Sequence, residues 1–322
     1  MRWLVILVLA ASAVWSGLWV VGRAGVQAGL EGAIEAARQD GWQITYDDLS
    51  VQGFPNRFDT RVTFPDLVTP DGLWGVAAPF VQVFALSYRP NQVIAIPAPD
   101  ITLRTPTGPA RLQTQDMRAS AATTLSVPPQ LNRATIVTQG ITGEGPDWSM
   151  TLGNGQAAIR QGSDPTVYDL ALTLRDLSLT ARAFETLPPE LAPDDIAALD
   201  LDATVTLDQA FAPGAEPKVQ TLTLRNASLD WQGIELALAG NVTVGPDGLP
   251  EGTLTLTARN WRALLDRLVL SGIMPENRLP LMSAALTSMS DGDRLQVEIG
   301  LRDGFVTAAG FPIVPLPRLP TL

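Results

Sequence analysis

The side chains here that could do chemistry are carboxylates, guanidiniums and one glycine-rich string. Acids stand close together at Asp47-Asp48, Asp194-Asp195 and Asp200/Asp202. Two neighbouring carboxylates could act as acid and base on a glycoside or as hard oxygen ligands for a cation. Asp200 and Asp202, however, alternate with Leu199, Leu201, Ala203, Val205 and Leu207. A period of two therefore sends both acids to a solvent-facing strand face, where they also discourage edge pairing. Asp47-Asp48 and Asp194-Asp195 suit a turn and a helix start. Arg57 and Arg61 could hold an anion, but Asp59 shares their face, so the row reads as charge-paired. Gly153-Asn154-Gly155-Gln156-Ala157-Ala158 fits the G-x-G-x-x-A dinucleotide fingerprint. That fingerprint needs a βαβ context, whereas Asn-Gly between alternating runs signals a hairpin turn.

Composition removes further classes of chemistry. The chain has no histidine and no cysteine. It therefore lacks the commonest general base and metal ligand, any thiolate nucleophile, and any disulfide or iron-sulfur ligand. No catalytic, cofactor-binding or metal-ligating residue is assigned, no cofactor is expected, and the chain reads as a non-enzyme. A net charge of −11, with Lys218 as the one lysine, argues against a nucleic-acid partner.

The elements that position these residues begin with an apolar run from Trp3 to Val21, uncharged until Arg23. At about 1.5 Å per residue it matches a hydrocarbon core of about 30 Å. It reads as a retained transmembrane anchor over residues 1–23, with Trp3, Trp15 and Trp19 near the interfaces. A cleaved secretory signal ending at Ala11-Ser12-Ala13 is the rival reading. Cleavage there would strand Val14, Trp15, Leu18, Trp19, Val20 and Val21 as an apolar stub. A helical extension over 24–41 carries Val26, Leu30, Ile34 and Ala37 on one face and stops at Gly41. Gly25 and Gly29 form a G-x-x-x-G, and Ala13 and Gly17 a second small-residue pair, patterns frequent by chance.

Beyond Gly41 the chain alternates in short runs punctuated by proline and glycine, as at Pro90-Asn91, Pro106 to Pro109, Pro128-Pro129 and Gly143 to Pro146. The fold class expected is mainly β: a long, curved antiparallel sheet over 42–310, or two similar halves over 42–160 and 165–310, with a few covering helices. Phe58, Thr60, Val62 and Phe64 are expected on one strand face. Tyr168 to Leu179 reads as a strand pair, and Ala183 to Ala198 as a short helix or two. Asn260 is expected to cap a helix over Trp261 to Ser271 whose stripe of Trp261, Leu264, Leu265, Leu268 and Val269 docks on a sheet. A weaker helix follows over Leu279 to Met289, then a hairpin of Leu295 to Leu301 with Gly304 to Ala308. The tail, residues 311–322, is too proline-rich for a central strand.

The segment Tyr46 to Asp59, with its string Gly53, Phe54, Pro55, Asn56, Arg57, Phe58 and Asp59, resembles an uncharacterised alphaproteobacterial membrane-anchored family, domain of unknown function 2125. Phe80 to Pro90 and Asp116 to Ser120 share that resemblance. More loosely, the Gly-Phe-Pro turn is similar to pieces of AsmA-like envelope proteins, which implies long sheets that bind or pass lipid outside the inner membrane. The functional expectation is a single-pass inner-membrane protein with a periplasmic β domain that handles lipid or maintains the envelope. The alternative is an envelope scaffold with a closed core that binds other envelope proteins, and a carboxylate-only hydrolase comes third.

Overall fold

The computed structural model describes residues 2–182, 191–192, 195–245, 248–272, 275–302, 304–308 and 311–316. The chain is mainly β and antiparallel, as expected, and forms two compact units: Met1–Thr123 with Thr142–Pro146, and Thr124–Ile141 with Asp147–Leu322.

Helix α1 (Arg2–Gln39) is continuous over 38 residues, so the apolar run and its extension are one element. It ends where expected. Gly41 has a φ of +91° and donates its N–H to the Arg38 carbonyl, and Trp42 donates to Ala37.

The rest of the first unit is a meander of long strand paths, each broken near its middle by two residues. The paths are β1 (Gln43–Thr45) with β2 (Asp48–Gln52), β3 (Arg57–Thr63) with β4 (Asp66–Val68), β5 (Gly75–Ala77) with β6 (Phe80–Leu86), β7 (Arg89–Pro97) with β8 (Asp100–Thr105), and β9 (Gly108–Gln113) with β10 (Asp116–Thr123). One ladder runs β2-β3-β6-β7-β10 and the other β1-β4-β5-β8-β9. The latter ladder ends on Thr142–Glu144 of β11 (Leu131–Glu144). The breaks line up as a crease. Phe64 N–H donates to the Pro79 carbonyl, Ala78 to Pro65, Ala98 to Phe80 and Thr114 to Pro99. Pro65, Pro79 and Pro99 cause it, because a residue with no amide hydrogen cannot continue a ladder. Buried Ala78, Ala98 and Ile101 lie there against Phe80, Leu103, Leu112 and Met117. Phe64 departs from the expected alternation: at the crease its φ is +47° and its ring is 59% exposed, unlike buried Phe58 and Thr60.

The second unit is a long antiparallel ladder of β12 (Trp148–Gln161), β13 (Val167–Ala181), β14 (Ile196–Leu207), β15 (Val219–Trp231), β16 (Ile234–Val244), β17 (Pro250–Arg259), β19 (Arg294–Arg302), β20 (Phe305–Ala308) and β21 (Phe311–Pro315). Between β17 and β19 come α2 (Trp261–Leu270), α3 (Leu279–Met289) and the short β18 (Ser290–Asp291). Tyr168 to Leu179 is thus one strand and not two. The expected helix after Ala183 lies mostly outside the described residues, and Ile196 to Ala198 are already strand. Both later helices and the β19–β20 hairpin fall where expected. The tail strand β21 pairs, among the described residues, only with β20.

Two cores flank this ladder. Trp261, 1% exposed, and Leu265 of α2 pack with Ala258 and Leu295, joined by Leu236, Val297, Leu279 and Leu286. Tyr168, Val205 and Leu207 gather Leu131, Ile159 and Phe211 at another site. Asn260 does not cap α2 by its side chain. It turns the corner at φ +55°, and its amide donates to the Gly233 carbonyl. Gly240 of β16 has a φ of +149°, and a Cβ there would lie 2.3 Å from the Thr253 carbonyl oxygen, so only glycine fits that ladder position.

Candidate functional site

The string Gly53 to Asp59 grips α1. Gly53 turns from β2 with a φ of +100°, and its carbonyl accepts the Arg57 N–H at 3.0 Å. The Phe54-Pro55 peptide is cis. Two carbonyls, one on the turn and one at the start of β3, face the helix: the Trp15 indole N–H donates to Pro55 at 2.8 Å, and the Trp19 indole to Arg57 at 2.9 Å. The Phe54 ring meets Trp19 edge-on at 5.4 Å, and Phe58 stacks beneath it at 6.1 Å. Buried Trp19, Leu49, Val51 and Phe58 then form a core with Val26, Ile34, Tyr46 and Val62. Gly22 provides the room. A Cβ at that position would lie 2.7 Å from Phe58 Cζ.

On the solvent side, Arg57 pairs with Asp59 at 2.8 Å, while Arg61 instead lies over the Phe80 ring at 4.5 Å. Asn56 accepts the Ser87 N–H through its carbonyl. The string therefore seats a helix through its Pro55 and Arg57 carbonyls and its two phenylalanine rings, while Arg57 is tied to one carboxylate oxygen of Asp59 and the other, Oδ1, is buried without a hydrogen-bond partner among the described residues. This changes the reading of the apolar stub. Trp15 and Trp19 have partners on the turn and β3, so a cut after Ala13 would strand only Val14, Leu18, Val20 and Val21. Apart from the helix's own backbone, nothing among the described residues lies within 4 Å of a Cβ built at Gly17, Gly25 or Gly29, so these small residues have no helix partner among the described residues.

The second-unit ladder has a polar face and an apolar one. On the polar face Arg225 bonds Asp202 and Thr204 and reaches Asp169 at 3.3 Å; Arg160 pairs with Asp169 at 3.2 Å, Arg175 with Asp200 at 2.8 Å, and Arg259 with Glu235 at 3.1 Å. The Thr204 hydroxyl, then Arg160, holds the Asp169 carboxyl below the usual range, and Arg225 does the same for Asp202. Asp200 and Asp202 thus face away from the leucines as the alternation requires, each tied to an arginine. β14 is an interior strand, so the two acids guard no edge. A hollow of about 630 Å³ on this face is lined by Asp200, Ser228, Asp230, Glu235, Thr257 and Arg259. Its charges are of both signs and mostly matched, which suits polar contacts more than proton transfer. Among the described residues no three His, Cys, Asp or Glu side chains gather as a metal site.

The Gly153 to Ala158 string is neither a turn nor a nucleotide loop. It lies inside β12, with Asn154 opposite Arg175 and Gly155 opposite Leu174. A Cβ at Gly155 would lie 3.0 Å from both Leu152 and Thr138, and one at Gly153 2.8 Å from the Asp176 carboxylate, so close packing explains both glycines. The ladder overrides the local turn preference of Asn-Gly.

The opposite face carries apolar rows across the strands. One runs Ala157, Leu172, Leu201, Ala227, Leu238, Leu256, Val297 by direct cross-strand pairing. The neighbouring row runs Leu174, Leu199, Leu229, Leu236, Ala258, Leu295. Helices α2 and α3 cover the Ala258 and Leu295 end. Leu172, Leu174, Leu199, Leu201, Leu238 and Leu256 remain only half-buried.

Sequence reasoning missed the roles of Trp15, Trp19, Gly22 and Ser87. Trp15, Trp19, Gly22 and Val26 recur at helical spacing on one stripe that continues to Ile34, a periodicity readable inside the apolar run. No curated protein matches the chain, and no solved structure does. Residues 19–317 match the family described as uncharacterized protein conserved in bacteria, domain of unknown function 2125, and the chain belongs to that family.

Proposed function

We propose that this is a non-enzymatic, single-pass inner-membrane protein whose periplasmic β domain binds lipid acyl chains on the apolar face of its second unit. The observation that carries the reading is the set of leucine rows on that face that stay only half-buried. A contiguous apolar surface of this kind is unusual on a soluble monomer and marks a binding surface. The first helix supports the reading, being long and apolar enough to cross a membrane by length and composition; a signal sequence passes the same test. On the other face Arg160, Arg175, Arg225 and Arg259 are held in ion pairs, which leaves the apolar rows as the distinctive surface. An envelope role, and the looser likeness to AsmA-like proteins, belong to this same proposal.

Native mass spectrometry of the full chain, released from membranes in mild detergent, tests it. The expected result is a chain that starts upstream of Val14 and carries phospholipid-sized adducts that survive detergent removal. Bare protein throughout would overturn lipid binding and favour the scaffold reading, and a chain starting at Val14 would overturn the anchor.

A further inference from the structure

We infer that the Gly53–Asn56 turn and the Ser87–Tyr88 turn dip into the bilayer beside α1, and that the groove they form with the helix holds a phospholipid acyl chain. Hydrocarbon in a bilayer is about 30 Å thick, and residues 2–14, which precede the first contact with the β domain, rise only about 20 Å. Trp15 and Trp19 are hydrogen-bonded to the Pro55 and Arg57 carbonyls. If the helix sinks far enough to span, the turn must sink with it. Both turns lie at the same end of the first-unit meander, since β2–β3 and β6–β7 are hairpins closed at that end, while the end of α1 at Gly41 touches Pro70 in the turn at the other end.

Side chains at the sunken end suit the interface. Phe54 is 56% exposed, Tyr88 61% and Leu18 62%, and amphipathic aromatics are favoured at headgroup level. Exposed Arg23 and Arg89 stand nearby in sequence to meet phosphates. Between helix and turns lies a largely apolar groove of about 520 Å³, lined by Leu18, Gly22, Gly25, Phe58, Tyr88 and Pro90 among others. Apart from the helix's own backbone, nothing among the described residues lies within 4 Å of the space a Cβ at Gly25 would take. At the groove wall, Ser87 Oγ is buried and has no hydrogen-bond partner among the described residues. A bilayer lipid is the occupant argued for, because the groove opens along a helix that itself enters the bilayer. This rests on α1 being an anchor and is independent of lipid binding by the second unit.

The chain has no native cysteine, so single cysteines can be placed cleanly. Spin labels at Phe54→Cys, Tyr88→Cys and Leu73→Cys of the full chain, in phosphatidylethanolamine and phosphatidylglycerol vesicles, would be compared for collisions with oxygen and with a water-soluble nickel chelate. The oxygen-to-nickel ratio is expected to rise at positions 54 and 88 and to stay at the aqueous level at 73. A bimane on Ser87→Cys should be quenched by lipids bearing a nitroxide on the acyl chain, and adding Gly25→Phe to fill the groove should cause a loss of that quenching. Aqueous ratios at 54 and 88 would overturn the insertion. Quenching unchanged by Gly25→Phe would overturn the groove's occupancy. Neither outcome bears on the leucine rows of the second unit.

Discussion

Two contact regions of this molecule hold chain segments together by opposite means. Where α1 meets β2 and β3, aromatic rings stack in a buried core and two indole N–H groups meet fixed carbonyls. On the polar face of β13, β14 and β15, charged pairs lie mostly open to water, with Arg225 42% and Asp202 54% exposed. Desolvated packing is specific and strong, whereas exposed ion pairs are screened and contribute little. The lesson is that the string Gly53 to Asp59 acts as a helix seat, while the acidic residues that look most like chemistry form a solvent-facing ladder.

Substitutions can break that contrast in order of size. Phe58→Ala removes the ring beneath Trp19 and leaves a cavity, so urea unfolding of the β domain should show a loss of about 3–5 kcal/mol. A loss below about 1 kcal/mol would mean the α1 seat is not a core. Trp19→Phe keeps a ring but removes the donor to the Arg57 carbonyl and should cost about 1–2 kcal/mol. Acid comes next. Asp169 is held below the usual carboxylate range by the Thr204 hydroxyl first, Asp202 by Arg225 and Asp100 by the Gln113 amide first. Their folded pKa values are depressed, so their stabilisation is complete above the ordinary value of about 4 and is lost as pH falls through the lower folded values. Without histidine, the urea midpoint should be flat between about pH 5 and 8 and decline below about pH 4. A slope near neutrality would contradict this. The smallest effect is expected for Asp202→Asn, which should leave the thermal midpoint almost unmoved and flatten the acid decline slightly. A large loss would show that the ladder, and not only packing, holds the second unit.

Much of the fold was legible because its signals are periodic. Leu199 to Leu207 fixes which face Asp200 and Asp202 take, and the stripe from Trp261 to Val269 fixes the docking face of α2. Local turn chemistry misled at Asn154-Gly155, where the partner strand supplies hydrogen bonds that outweigh the hairpin preference. Phe64 was misplaced for a related reason: Pro65 and Pro79 crease the sheet, a cooperative feature that one strand's alternation cannot show. The site was harder still. An apolar run long enough to span a bilayer hides residues that pack on protein: the stripe of Trp15, Trp19, Gly22 and Val26 is readable in it, but its partner, Phe58 beneath Trp19, is met only in three dimensions.

The most direct test of lipid binding by the second unit uses adjacent residues that face opposite ways. A photo-crosslinking phenylalanine analogue is placed at Leu201 or at Asp202 of the full chain in cells grown with labelled phosphate, and the purified protein is assayed for bound label after irradiation. Covalent phospholipid at 201 and none at 202 is the predicted result. Equal labelling at both positions, or none at 201, would contradict an apolar face that takes acyl chains.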